Sequence, residues 1–194
     1  MAFHPKAGTM IDRDDSVEKF LTEIVPAAVK KAKDNGSTSI FGFGWDYMKF
    51  KNNMPTRQQL DAICSNIPMY FADEEGHKAV ANTLCLINAG IMNADGTTGK
   101  TDIRGGEVVM GADGTPTGYL VERAGIYAKS FLDNECIYSI DIAKETMTEI
   151  EQHLISEGYT MYIDGWGNYF HNDNFYEEAA QPNKWIKPAT CISY

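Results

Sequence analysis

Apolar residues recur at Val17, Phe20, Leu21, Ile24, Val25, Ala28 and Ala32, the three-and-four spacing of one helix face. Asp15-Ser-Val-Glu18 resembles a capping box at its start, and Asn35-Gly36 supplies a stop. Pro26 lies inside this pattern and predicts a kink or a short break, because it lacks an amide hydrogen. Ser39 to Trp45 then reads as a strand entering a glycine-rich turn. Thr56, with Gln59 three residues on, predicts a short helix through Ile63. Ile67 to Ala72 is a strand with Pro68 confined to its start. From Lys78 to Asn88, Val80, Ala81, Leu84 and Ile87 predict a helix that Gly90 ends.

Residues 93–106 are rich in Asn, Asp, Gly and Thr and read as an exposed loop. Glu107–Met110 and Gly118–Val121 flank Asp113-Gly114 and predict a hairpin with a longer connection. Ile140, Ala143, Met147, Ile150 and Leu154 predict a helix that Gly158 caps. Tyr159–Ile163 follows as a strand ending at Asp164-Gly165, and the tail carries little pattern. Strands and helices intermingle, so periodicity alone gives a mixed α/β (α+β) architecture.

Composition changes this picture little. At 194 residues the chain suits one domain, or a domain plus a piece of another, with 43% hydrophobic and 23% charged residues. A formal net charge of −10 argues against nucleic-acid binding, which needs clustered Lys and Arg. Cys64, Cys85, Cys136 and Cys191 form no C-x-x-C pair, so a zinc ribbon or redox motif is not expected. Cys85 lies in an apolar stretch and reads as core packing. No apolar run approaches the length of a membrane span, and the expectation is a soluble, cytoplasmic protein.

Three stretches carry a resemblance. The first is Gly42-Phe-Gly-Trp-Asp46, followed by Pro55-Thr-Arg57 and Leu60-Asp61. The second is Gly76-His77, with Asn82 and Ala89-Gly-Ile91. The third is Gly105-Gly-Glu107, Asp113-Gly114, Pro116-Thr-Gly118 and Glu122. Together, in order and spacing, they resemble the amidohydrolase 3 family, including its exoenzyme regulatory and N-substituted formamide deformylase-like members. The similarity covers roughly residues 38–170, weakening through Gly158-Tyr-Thr160 and Asp164-Gly165.

The resemblance implies a (β/α)8-type hydrolase of non-peptide C–N bonds, with one or two divalent, zinc-type metals activating water against a small amide-like substrate. This chain then corresponds to an inserted domain with a β-hairpin plus a small part of the barrel, not a complete barrel. The implied divisions are an N-terminal helix region (1–37), an inserted substrate-side domain (38–135), and a helix, barrel-type strand and tail (136–194). The family's H-x-H metal pair falls before or near residue 10, where His4 stands alone, and its later ligands fall beyond residue 194. No metal ligands and no catalytic residue are assigned to this chain. The expectation is a catalytically silent part of an amidohydrolase; the alternative is a stand-alone module binding a small molecule or partner. The last thirty or so residues are expected to be less well packed or held by a second copy, and an exposed apolar surface could form a homodimer.

Six residues are candidates for the substrate side. His77 follows an acidic run at an expected strand-to-helix junction, where the other reading is a histidine bonding at the start of its own helix. Glu122 closes the hairpin and could aim a carboxylate at a metal site, or be a surface carboxylate at a helix N-terminus. Asp164 ends a presumed barrel strand, or is a plain Asp-Gly turn. Asn82 could bond within a pocket or be a satisfied core amide. Trp45 and Asp46 could line a cavity, although core filling suits the indole.

Overall fold

A computed structural model describes residues 8–133, 152–159, 161–164 and 187–190. The chain divides into two compact units, one of Gly8–Ile137 and one of Met1–Ala7 with Tyr138–Tyr194.

The first unit opens with a short strand β1 (Thr9–Met10), then α1 (Val17–Lys19), a π-helical turn over Phe20–Ile24, and α2 (Val25–Asn35). Pro26 explains the interruption: it cannot donate to the carbonyl a turn earlier, and its ring crowds that carbonyl. The wider turn absorbs the defect, with Val25 N–H bonding back to Phe20 O. The N-cap is Ser16, whose hydroxyl accepts from Lys19 N–H, so the cap lies one residue beyond the expected Asp15. Asp15 is buried and accepts from Asp12 N–H, fixing the approach to the helix instead.

Next come β2 (Ile40–Trp45), α3 (Tyr47–Phe50), α4 (Arg57–Ile63) and β3 (Met69–Asp73). Both halves of the Thr56/Gln59 capping box form at the start of α4. The expected helix over 78–88 is corrected: Lys78–Ala81 is a strand, β4, and only Thr83–Asn88 is helical, α5. Val80 and Ala81 fit either period. Antiparallel pairing with β3 (Tyr70 opposite Ala81, Ala72 opposite Ala79) decides in favour of the strand. Asn82 then begins the helix as its N-cap. The hairpin of β5 (Gly106–Met110) and β6 (Pro116–Glu122) follows, and α6 (Arg123–Lys129) leaves directly from its end.

These strands form one open sheet in the order β1-β2-β3-β4-β6-β5, not a closed barrel. Strands β1, β2 and β3 run parallel, and β3, β4, β6 and β5 are antiparallel to their successive neighbours. Alternation along the strands gives each face its own cover. Ile40, Met69, Phe71 and Val80 join Phe20, Val25, Val29, Trp45, Phe50 and Leu60 in one buried cluster under α1 to α4. On the other face, Gly125 of α6 lies against the Tyr70 hydroxyl, Ala79 and Leu120. Phe20 sits at the centre of the first cluster, edge-on to Phe50 and Phe71 at 5.5 and 5.1 Å.

In the second unit, β7 (Met161–Asp164) pairs in parallel with β8 (Lys187–Thr190), in the tail that the sequence left unassigned. The expected helix from Ile140 is described only over 152–156, which is helical and closes with Gly158 N–H bonded to Ile155 O. The rest of that expectation lies outside the described residues.

Candidate functional site

The carboxyl ends of β2 and β3 and the turn from β3 into β4 build one corner of the sheet. Asp73 ends β3 with only 1% of its surface exposed. Its Oδ1 accepts from Lys78 N–H across the turn at 3.0 Å, and Gly76 N–H donates to Asp73 O. The turn is also held to the neighbouring strand, because Glu74 N–H donates to Trp45 O. Asp73 Oδ2 has no hydrogen-bond partner among the described residues, and the ammonium of Lys78 stands 3.5 Å away as its counter-charge. That ammonium lies 4.4 Å from the centre of the Tyr47 ring and 3.7 Å from Glu75.

This frame places His77 at the tip of a strand–strand hairpin. The expected strand-to-helix junction is therefore corrected, and His77 does not begin a helix. The β4–β6 register, with Lys78 opposite Val121, brings Glu122 beside it. Glu122 N–H donates to His77 O at 2.6 Å, and His77 Nδ1 lies 3.1 Å from Glu122 Oε2. Both side chains are about half exposed, 55% and 54%. The hydrogen bond that the imidazole donates to Glu122, then the charge of that carboxylate, raises the His77 pKa above the ordinary 6.5.

Glu122 occupies an unusual backbone position, φ 52° and ψ −126°, where β6 turns into α6. A side chain costs about 1–3 kcal/mol in such a conformation. It stands immediately before α6, and its side chain makes no capping bond to that helix.

The other candidates go elsewhere. Trp45 is fully buried, stacks on Phe50 at 5.0 Å, and donates its indole N–H to Phe71 O at 2.9 Å. Asp46 caps α3 by accepting from Met48 N–H. Asn82 is fully buried at the end of the β3–β4 hairpin opposite His77. Its Oδ1 accepts from Met69 and Cys85 N–H, while Nδ2 donates to Ile67 O and Cys64 O. All four bonds go to backbone. Asp164 closes β7 opposite Thr190 in the second unit.

Three residues the sequence reading passed over are Asp73, Lys78 and Arg57. An acidic residue followed five positions later by lysine, around a glycine, was the signal for the first pair. Arg57 lay in a quoted motif with no role attached. Its guanidinium donates to Pro116 O, Thr83 Oγ1 and Thr115 Oγ1, which ties α4 to α5 and to the hairpin. Asp61 completes this clamp by accepting from Thr83 N–H and Oγ1.

The described residues at this corner do not fit a catalytic divalent metal. The facing atoms of His77 and Glu122 are engaged with each other, and no third donor joins them. Among the described residues no group of three or more His, Cys, Asp or Glu side chains is arranged to hold a metal ion. No helix among them is long and apolar enough to cross a membrane.

A family model described as "Amidohydrolase family" matches residues 6–181. Protein LONG AFTER FAR-RED 3 from Arabidopsis thaliana is 28% identical over 148 residues, 76% of this chain and 24% of that protein. Two crystal structures of uncharacterized metal-dependent hydrolases share the fold. That from Pyrococcus horikoshii OT3 gives a TM-score of 0.53 at 21% identity, over 96% of this chain and 33% of its own. That from Pyrococcus furiosus gives 0.51 at 19%, over 95% of this chain and 34% of its own. The chain thus spans about a quarter to a third of the length of these proteins.

Proposed function

The chain belongs to the amidohydrolase family, and on that footing we propose that it forms the substrate-side portion of a metal-dependent hydrolase acting on non-peptide C–N bonds. In this reading the sheet of the first unit is the inserted domain, and β7 and β8 are strands of barrel type. The His77–Glu122 corner faces the substrate, and residues outside this chain supply the metal ligands. The observation that carries the reading is the extent of the match. It runs from residue 6 to 181 of this chain, while the chain spans only a third of the hydrolases that share its fold.

The test is metal content and turnover of the 194-residue chain. After loading with zinc or manganese and desalting, no stoichiometric metal and no hydrolysis of N-substituted formamides or simple acylated amines are expected. A tightly held metal with amide hydrolysis would overturn the proposal. One observation favours the second reading, a stand-alone binding module: the first unit has a buried aromatic cluster of its own. The coding DNA on either side separates the two. An H-x-H before residue 1 and further histidine codons beyond residue 194 support the hydrolase portion, and stop signals on both sides support the module.

A further inference from the structure

Glu122 holds the backbone conformation of the first central residue of a type II′ turn, a place that glycine normally fills. It is the one non-glycine residue with positive φ among those described. Strain of this kind persists where a side chain is needed at that position. Among the described residues the side chain has one partner, His77, and the two residues are joined twice, through Glu122 N–H to His77 O and through Nδ1 to Oε2.

A carboxylate can only accept, so His77 Nδ1 carries the hydrogen, and in the neutral ring Nε2 is the basic atom. Nε2 has no hydrogen-bond partner among the described residues, and the half-exposed ring opens it to solvent. The charges around it are acidic, Glu122 from the end of β6 with Asp73 and Glu75 from the turn. Lys78 is committed to Asp73 and Glu75. Such a setting attracts a hydrogen-bond donor and repels an anion.

We propose that the His77–Glu122 pair is a small-molecule contact site, in which Glu122 fixes the imidazole and Nε2 accepts from an amide N–H or a protonated amine. The proposal rests on the substrate-side reading for the identity of that molecule, an amide substrate or its amine product. The contact itself does not require this chain to hydrolyse anything.

The experiment follows the His77 ring resonance by NMR, assigned with His77→Gln, first through its own pH titration and then above the midpoint found, where the imidazole is neutral. The chain is titrated separately with propionamide, propylamine and propionate. A saturable shift is expected with the amide and the amine and none with propionate. Glu122→Gly should abolish both shifts while raising Tm, because glycine relieves the backbone and leaves the ring unheld. No shift with any probe, an equal response to propionate, or shifts that survive in Glu122→Gly would overturn the proposal. So would a lower Tm for Glu122→Gly, which would make Glu122 a structural cap. Metal-dependent turnover by the chain would remove the substrate-side reading and leave the contact standing; absent shifts would do the reverse.

Discussion

Gly118 turns a bare α-carbon towards Arg57: a Cβ added there would lie 2.9 Å from both the Cβ and the backbone nitrogen of Arg57, and 2.5 Å from Ala81 O. With φ at +98°, the position is also left-handed. Gly118→Ala therefore pushes α4 off the sheet and strains β6 at once. A loss of roughly 2 kcal/mol or more is expected, read as a lower urea midpoint.

Arg57 is the other half of that contact. Removing its guanidinium leaves Pro116 O and two threonine hydroxyls without their donor, in a part-buried setting. Arg57→Ala should cost about 2–3 kcal/mol. Arg57→Lys should recover only a fraction, because one ammonium cannot reach the three acceptors of a planar fork. Equilibrium urea unfolding of both variants checks this ordering.

Asn82 joins the ends of two elements through a single amide. Asn82→Ala strands the Met69 and Cys85 amides and the Cys64 and Ile67 carbonyls in the interior and removes the cap of α5. The expected cost is about 3–5 kcal/mol. Hydrogen exchange should show the Met69 and Cys85 amides losing protection first, while the pKa of His77, at the other end of the hairpin, stays unchanged in a pH titration by NMR.

The raised His77 pKa gives a pH dependence with a definite sign. The folded state binds the imidazole proton more tightly than the unfolded chain. The stabilisation is therefore complete below about 6.5 and fades as pH rises through the folded value. Wild type should lead Glu122→Gln in Tm by most near pH 6 and by least at pH 9. The lead is small, because both groups face solvent. A gap that widens with pH would contradict the assignment.

What the sequence disclosed was local. Thr56 and Gln59 announce a helix because the capping box is completed within four residues. Pro26 announces a disturbance because its defect lies in its own ring, although the ring does not dictate the form of that disturbance, a π turn over Phe20–Ile24. The strand at Lys78–Ala81 was hidden because two neighbours distant in sequence, not the residues themselves, make it a strand. His77 and Glu122 were each singled out, but for separate roles. Their meeting depends on a register 45 residues apart that no periodicity encodes. The motifs that carried the family resemblance prove largely architectural: Arg57, Asp61, Asn82 and Gly118 all hold α4 and α5 to the sheet.

The change of direction at β3 bears on how quickly each part of the sheet can assemble. Strands β3 and β4, and β5 and β6, are joined by tight reversals, so their contacts close short loops. Strands β1 and β2 meet only after the whole of α1 and α2 has been traversed. Loop-closure entropy favours the short loops first. In a kinetic mutational survey, Val108 and Leu120 should show high φ-values and Ile11, bonded to Phe43 O beyond β1, a value near zero. The corner that carries His77 and Glu122 joins those two reversals through the pairing of Lys78 with Val121, so it would be completed only after both hairpins have formed.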